Sequence, residues 1–334
     1  MKAMILAAGV GSRLDPLTSD LPKPLVPIAN YAIIEHIIHL LKIHNFTNLS
    51  ANLHYLANKI ETQIGDGRKY GVNINFTTEE NLTGDAGGLR SCKAFFQDET
   101  FLVINADLLT DFDLTYIINQ HKAKQALASI ALTKVIDVSQ FGVALTNQDG
   151  FITGFQEKPK ASEALSDLIS TGIYVFEPAI FNYIPQSGSY GFGRDLFPKL
   201  LDLKLPLLGI NVDGYWSDIG TIPKYCESNF DALNHKIQVN MSGTKIESFK
   251  DLNPQSAKFE YSPSASINGL ALIGNNSIIE DNVELLGNVI IGPNTIIRAG
   301  VKIENSVIWG NNIIHSNKII KNTIIGIREI ACVI

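Results

Sequence analysis

The residues most able to do chemistry sit near the start of the chain. A short apolar run, Ala3 to Ala7, opens into Leu6-Ala7-Ala8-Gly9-Val10-Gly11-Ser12-Arg13-Leu14, a loop of small residues that ends on a cation. Small side chains let successive backbone N–H groups approach phosphate oxygens, so such a loop can act as an anion-binding nest. Two familiar phosphate motifs are excluded. A Walker loop needs Gly-Lys-Ser or Gly-Lys-Thr where the chain has Gly11-Ser12-Arg13, and a dinucleotide fingerprint needs a third glycine where Leu14 stands. Farther on, Lys23 lies between Pro22 and Pro24. A surface lysine is ordinarily solvated and mobile, but two prolines stiffen the backbone around this one, which makes it positioned charge. Arg13 and Lys23 together suit a polyanion such as a triphosphate.

The elements that must hold these residues follow from the hydrophobic pattern. Ala3 to Ala7 is a buried parallel strand, and Leu49 to Leu53, Ile74 to Phe76 and Phe101 to Asn105 are further strands. Ile33, Ile34, Ile37, Ile38 and Leu41 recur at helical spacing and predict a helix around 31–44. The alternation gives an α/β, Rossmann-like domain with a mixed, mostly parallel sheet over residues 1–240, in which sites fall at the carboxyl ends of strands. From 241 to 266 the pattern fades into Ser, Lys, Asn and Pro, a connector. Beyond it, Ile273, Ile279, Leu285, Ile291, Ile297, Ile303 and Trp309 recur every six residues. A second series runs Ser277, Val283, Val289, Thr295, Val301, Val307, Ile313 and Ile319, with Gly274, Asn276, Gly292, Asn294, Gly300 and Gly310 between. Hexapeptide repeats of this kind build a left-handed parallel β-helix, here over 267–334. The open edges of such a coil favour capping by another copy, so a homo-oligomer is expected.

Composition narrows the partners. A chain of 334 residues with net charge −6, 45% hydrophobic and 18% charged, is an ordinary globular protein without the basic surface that nucleic acid requires. No run approaches the ~20 apolar residues of a membrane span, and no signal-peptide pattern is present, which fits the cytoplasm. Cys92, Cys226 and Cys332 are odd in number and widely spaced, so they are expected as free thiols and not as disulfide or zinc ligands. His36, His39 and His44 fall on or beside the first helix and are expected to be hydrogen-bonded there. His315 lies in the repeats, where related β-helix acyltransferases keep a catalytic histidine, but no acyl-carrier extension accompanies it.

The motifs, taken in order, resemble those of the sugar-phosphate nucleotidyltransferases. Met4 to Leu14, Pro16-Leu17-Thr18 and Pro22-Lys23-Pro24-Leu25-Val26-Pro27 are similar to the family's opening. Phe141-Gly142-Val143 with Gly154-Phe155-Gln156-Glu157-Lys158-Pro159, then Ser170-Thr171-Gly172-Ile173-Tyr174-Val175-Phe176, resemble its sugar-site segments. Gly214-Tyr215-Trp216-Ser217-Asp218-Ile219-Gly220-Thr221 resembles the segment of its second metal-binding aspartate. With the β-helix, the plan is nearest the two-domain members that make GDP-mannose. The resemblance implies an enzyme joining a nucleoside triphosphate to a sugar 1-phosphate with release of pyrophosphate. GTP and mannose 1-phosphate are the first choice. Thymidylyl or uridylyl transfer to glucose 1-phosphate, or a non-catalytic regulatory homologue that binds nucleotide-sugar, are the alternatives.

By the same resemblance, Leu6, Ala7, Ala8, Gly9, Gly11, Ser12, Arg13, Gly84 and Asp85 contact nucleotide, and Gly142, Glu157, Lys158 and Thr171 form the sugar-phosphate site. Asp107 and Asp218 hold Mg²⁺; Arg13 and Lys23 complete the catalytic set. Two positions depart from the family. Ala106 replaces the usual glycine before Asp107, and Asp85 stands where threonine is common. A carboxylate at Asp85 could accept both donors on guanine's Watson–Crick edge, or it could cap the helix that begins near Ala86.

Overall fold

The computed structural model describes residues 1–252 and 257–332. The chain forms two compact units: Met1–Val10, Ile37–Leu108 and Phe112–Trp216 make the first, and Gly11–His36, Leu109–Asp111 and Ser217–Ile334 the second.

The first unit is built on a nine-stranded sheet. Its strands are β1 (Lys2–Leu6), β2 (Asn48–Leu53), β3 (Asn73–Thr78), β4 (Phe101–Asn105), β5 (Ala128–Lys134), β6 (Gly142–Thr146), β7 (Ile152–Glu157), β8 (Leu168–Phe176) and β9 (Leu207–Asn211). Ladders join them in the order β7–β6–β8–β4–β1–β2–β3, and β5 pairs with β8 and β9. Pairing is parallel among β1 to β4 and between β5 and β9, and antiparallel around β8. The chain moves outward from β1 through β2 to β3, then returns to lay β4 against the other side of β1. That reversal is a topological switch point, and the loops leaving β1 and β4 diverge there to leave a crevice. Ala106 donates its N–H to the Leu6 carbonyl at 2.9 Å, which aligns the two strand ends.

Helices run α1 (Ile33–Ile43), α2 (Ala57–Ile64), α3 (Asp85–Ser91), α4 (Leu114–Ala123), α5 (Phe197–Asp202) and α6 (Ile222–Leu233). On α1, Ile33, Ile34, Ile37, Ile38 and Leu41 are all buried, as their spacing requires. His36 bonds the Ile28 carbonyl (2.9 Å) and His44 the Thr115 hydroxyl (2.8 Å), the hydrogen-bonded state expected of them. No described helix is long and apolar enough to cross a membrane.

One buried polar cluster makes a stability prediction. His121 on α4 is fully enclosed, with Nδ1 2.7 Å from Ser129 Oγ and Nε2 3.1 Å from Glu177 Oε1. Glu177 can only accept, so Nε2–H donates to it and the serine hydroxyl donates to Nδ1, a neutral imidazole. Burial holds His121 below its usual value, more strongly than Glu177 pulls it up. Once the pH drops below about 6.5, the unfolded chain binds a proton that the folded chain resists, and stability falls. Urea unfolding from pH 8 to pH 5 should therefore show a decline that His121→Gln flattens. An equal decline in both proteins would assign the slope to other groups.

The second unit contains the β-helix. Ser266–Ile273 pairs in parallel with Glu284–Ile291, and that with Lys302–Ile308, so Ser266 faces Glu284 and Glu284 faces Lys302. Each coil is thus three hexapeptides. Ile273, Ile279, Leu285, Ile291, Ile297 and Ile303 line its core. At the corners, Asn276, Asn282, Asn294, Asn311 and Asn317 adopt left-handed backbone angles, which asparagine tolerates better than other side-chain-bearing residues. Asn276 donates to Asn294 and Asn294 to Asn311, each at 3.2 Å, as a ladder along one edge.

The second hexapeptide series keeps its register only as far as Val301, since Ser306 then faces Val289 and Val307 faces Ile290. Ile313 and Ile319 are 53% and 78% exposed, whereas Ile308, Ile314 and Ile320 are buried. The cause is a one-residue contraction: Leu286 faces Glu304 but Val289 faces Ser306, so Asn305 alone spans the place of Gly287 and Asn288. After it, Ile296 faces Ile313, and the inward positions shift by one. The 241–266 connector also carries structure. Thr244–Ile246 pairs antiparallel with Ser266–Ile273, and buried Phe249 and Phe259 join the coil's core.

The cysteines need correcting. Cys92 is a buried thiol as expected, but Cys226 and Cys332 form a disulfide, with Cα atoms 6.6 Å apart. Their separation of 106 residues hid it, because only the tertiary fold lays α6 beside the chain's last strand.

Candidate active site

Three residues expected to carry catalysis meet in the second unit. Gly11 has φ 75°, in the left-handed region, and starts the 3₁₀ turn Ser12–Leu14, which the buried Leu14 anchors. A side chain at Gly11 would come within 2.8 Å of Lys23 Cβ, so the glycine allows the loop to lie against the lysine's stem. Lys23 heads its own 3₁₀ turn between the two prolines and is buried. Its Nζ lies 3.7 Å from Asp218 Oδ1, while Arg13 Nη2 lies 3.9 Å from Asp218 Oδ2. Two cations thus lie against one carboxylate. Arg13 remains largely exposed and able to reach a ligand.

Helix α6 holds this cluster in place. The strand Trp216–Asp218 runs into α6 through Thr221, and Ser217 bonds Ser228 on that helix at 2.9 Å. Asn229 accepts from the Ala29 N–H, and the buried Tyr225 donates to the Pro27 carbonyl at 2.8 Å while accepting from Trp309 Nε1 at 2.8 Å. The turn bearing Lys23 is therefore tied through Tyr225 to the β-helix.

A second set lies in the first unit at the carboxyl ends of the sheet. Asp107 follows β4 at the switch point and is half-buried. Glu157 ends β7, and Tyr174 is buried in β8. Burial raises the Tyr174 phenol far above its usual range, and the charges of Asp85, Glu157 and Asp107 push it the same way. Glu157 is itself raised, by desolvation more than Lys158 lowers it. Lys158 adopts φ 48°, an uncommon conformation for a lysine, while its N–H bonds the Phe141 carbonyl at 3.0 Å.

Thr171 sits in a bulge of β8, where the pairing to β5 slips between Ser170 and Tyr174. Its hydroxyl donates to the Ala131 carbonyl at 2.9 Å and its own carbonyl accepts from Trp216 Nε1. The Thr171 hydroxyl is therefore held by the neighbouring strand β5. Asp85 is the first residue of α3, and its Oδ1 accepts from the N–H of Ala86 at 2.8 Å.

Two residues that the motifs did not flag support the loop of small residues after β1. Asn52, buried at the end of β2, accepts from the Ala7 N–H at 3.1 Å and donates to Glu79 Oε1 at 2.6 Å. Glu79 Oε2 in turn holds the N–H and hydroxyl of Thr83, just before Gly84. The available signal was one polar residue, Asn52, near the end of an otherwise buried strand. Among the described residues no group of three or more metal-ligating side chains converges.

Comparison with known proteins identifies the family. Residues 2–235 match the nucleotidyl transferase family, and 271–305 match the bacterial transferase hexapeptide repeat. The chain belongs to the nucleotidyl transferase family and is a sugar-1-phosphate nucleotidyltransferase. It is 40% identical to a UTP–glucose-1-phosphate uridylyltransferase of Synechocystis sp., over 86% of this chain and 77% of that protein. It is 30% identical to a mannose-1-phosphate guanylyltransferase of Mycobacterium tuberculosis, over 69% of this chain and 64% of the relative. Among solved structures, a Bacillus anthracis protein assigned as a glucose-1-phosphate thymidylyltransferase superposes with TM-score 0.64 at 28% identity, covering 72% of this chain and 97% of its own.

Proposed function

We propose that the chain transfers a uridylyl group from UTP to glucose 1-phosphate, giving UDP-glucose and pyrophosphate, in the cytoplasm where nucleoside triphosphates are made. The observation that carries this reading is the 40% identity to the Synechocystis uridylyltransferase, which extends over 86% of the chain. The guanylyltransferase likeness is weaker, at 30% over 69%. The Asp85 Oδ1 accepts from the N–H groups of Ala86 and Phe192, which occupies one of the two oxygens that a bidentate contact to guanine would use.

The phosphate oxygen of the sugar attacks the α-phosphorus and pyrophosphate leaves. The nucleophile is already ionised, so no general base is needed. Arg13 neutralises the β- and γ-phosphates as they depart, and Lys23 the α-phosphate. Lys158 binds the sugar phosphate, Glu157 accepts from sugar hydroxyls, and Gly142 and Thr171 bound that pocket. Leu6 to Ser12 and Gly84 present backbone to the nucleotide. This is positioning and electrostatics without a covalent intermediate. Asp107 and Asp218 are hard oxygen donors, and Mg²⁺ is commonly bound by one or two carboxylates together with substrate phosphates and water, so the donor set fits that ion. When bound, it would neutralise phosphate charge and orient the displacement.

Pyrophosphate release tests the reading with UTP, dTTP, GTP and ATP against glucose and mannose 1-phosphates. UTP with glucose 1-phosphate should give the highest kcat/KM, by about tenfold or more over GTP. A preference for GTP with mannose 1-phosphate would replace the reading, and no turnover with any pair would leave a binding homologue. The same preparation should scatter light as a homo-oligomer, since Ile313, Ile319 and Ile327 are exposed on the β-helix; a monomer would refute that part.

A further inference from the structure

Asp85 is the departure that the proposed chemistry leaves without a role. Its Oδ1 accepts not only from Ala86 N–H but from Phe192 N–H at 2.6 Å, across 107 residues. The bond is one of a series. Tyr190 donates its N–H to the Thr83 carbonyl at 2.8 Å, and Gly87 donates to the Tyr190 carbonyl at 3.1 Å, so the start of α3 and the segment 190–192 are laced together. Phe192 opens a π-helical turn, Phe192–Leu196, a form that often marks functional positions. Asp195 Oδ2 takes the Gly191 N–H at 2.7 Å while Arg194 holds the same oxygen at 2.8 Å. One carboxylate thus serves two helical starts that the chain keeps far apart.

The turn's next residue explains why this matters. A side chain at Gly193 would place its Cβ 2.0 Å from Glu157 Oε2 and 3.0 Å from the Phe155 ring. The backbone at Gly193 is therefore one wall of the space that Glu157 occupies. Phe192 itself packs on Tyr174 and Phe197, with ring centroids 5.0 and 5.8 Å apart. A shift of the turn moves the glutamate's wall and the Tyr174 packing together.

We propose that Asp85 is a positioning residue that latches the turn at Phe192 to the start of α3, and through Gly193 sets Glu157 for the sugar phosphate. The proposal rests on the function above insofar as Glu157 is taken to bind the sugar. Burial raises the Asp85 carboxyl to about 6, with the Phe192 and Ala86 amides pulling it down and Glu157 adding to the rise. A carboxylate kept in so unfavourable a place is held there by the two N–H groups it serves.

The test uses the full chain with Asp85→Ala and Asp85→Asn. Steady-state kinetics would be measured for UTP and glucose 1-phosphate, binding of glucose 1-phosphate by calorimetry, and hydrogen exchange at the Phe192 amide. In Asp85→Ala the KM and Kd for glucose 1-phosphate should rise about tenfold, while the KM for UTP stays within about twofold and the ranking of nucleotides is kept. Exchange at Phe192 should quicken, and Asp85→Asn, which retains an acceptor oxygen, should fall between. A changed nucleotide ranking, or a rise confined to the KM for UTP, would make Asp85 a base contact and overturn the latch. Faster exchange with both substrate constants unchanged would reduce it to a helix cap, and that also overturns it. If Asp85→Ala does not fold, Asp85→Asn decides by the same criteria on a smaller scale. Should the wild type turn over no substrate pair, the proposed function fails, while the ratio of glucose 1-phosphate Kd values still decides the latch.

Discussion

Asp218→Asn should lower turnover by about 10³-fold or more, since a metal ion's stabilisation of transferring phosphate oxygens is worth several kcal/mol and each 1.4 kcal/mol is a factor of ten. The substitution keeps the side chain's shape and removes its charge. Lys23 and Arg13, at 3.7 and 3.9 Å, would then face a neutral amide. Two ion-pair contacts would be weakened, and the proposed hard anionic ligand for Mg²⁺ would be gone. Asp107→Asn should behave alike, because the proposed mechanism gives the two carboxylates the same ion. Activity in both variants should respond poorly to added Mg²⁺, while thermal unfolding stays near that of the wild type. Turnover close to normal in either variant, with the metal still required, would show that the ligand is another residue.

Gly269→Ala should destabilise the β-helix by about 3 kcal/mol or more, through backbone strain compounded by a backbone clash. Gly269 has φ 136°, where a side chain is strained whatever space surrounds it. The added Cβ would also lie 2.2 Å from the Gly287 carbonyl oxygen in the next coil, with Gly287 Cα at 2.8 Å. Neither contact is the end of a flexible side chain, so relief requires parting two paired strands, Ser266–Ile273 and Glu284–Ile291. Gly274→Ala, at ordinary φ but with an equally crowded backbone, separates the two causes. Thermal unfolding of both variants checks this, and an unchanged midpoint in Gly269→Ala would mean the coils can part freely.

The cluster proposed to be catalytic could be picked out because its charge and its stiffening appear together in sequence. Lys23 sits between prolines, and its side chain does lie beside Asp218. The hexapeptide period also translated directly into a buried core. The outward turn of Ile313 and Ile319 was not legible, because aliphatic residues fill the old register after the contraction at Asn305 as well as the new one. The pairing of Cys226 with Cys332 was hidden for a different reason, since it depends on where α6 lies and not on any local spacing. Asn52 and Glu79 escaped because a polar residue at a strand end becomes informative only when its partners are known. The first choice of nucleotide rested on Asp85 and on a resemblance in domain plan, whereas the fuller match to the Synechocystis enzyme supports the uridylyl reading.

The two kinds of sheet in this chain differ in when they can form. In the β-helix, Ile278 pairs with Ile296 and Ile296 with Ile313, so each coil is complete once the next turn of chain has been made. In the first unit, Ala3 must wait for Leu102, and β5 must wait for Leu207 before its edge is covered. Loop closure over such spans is slow, whereas neighbour-to-neighbour stacking propagates. During synthesis the amino-terminal sheet therefore stays open through most of its own translation, its strand edges available to chaperones or to wrong partners. The repeats, made after that sheet, stack coil on coil as they emerge.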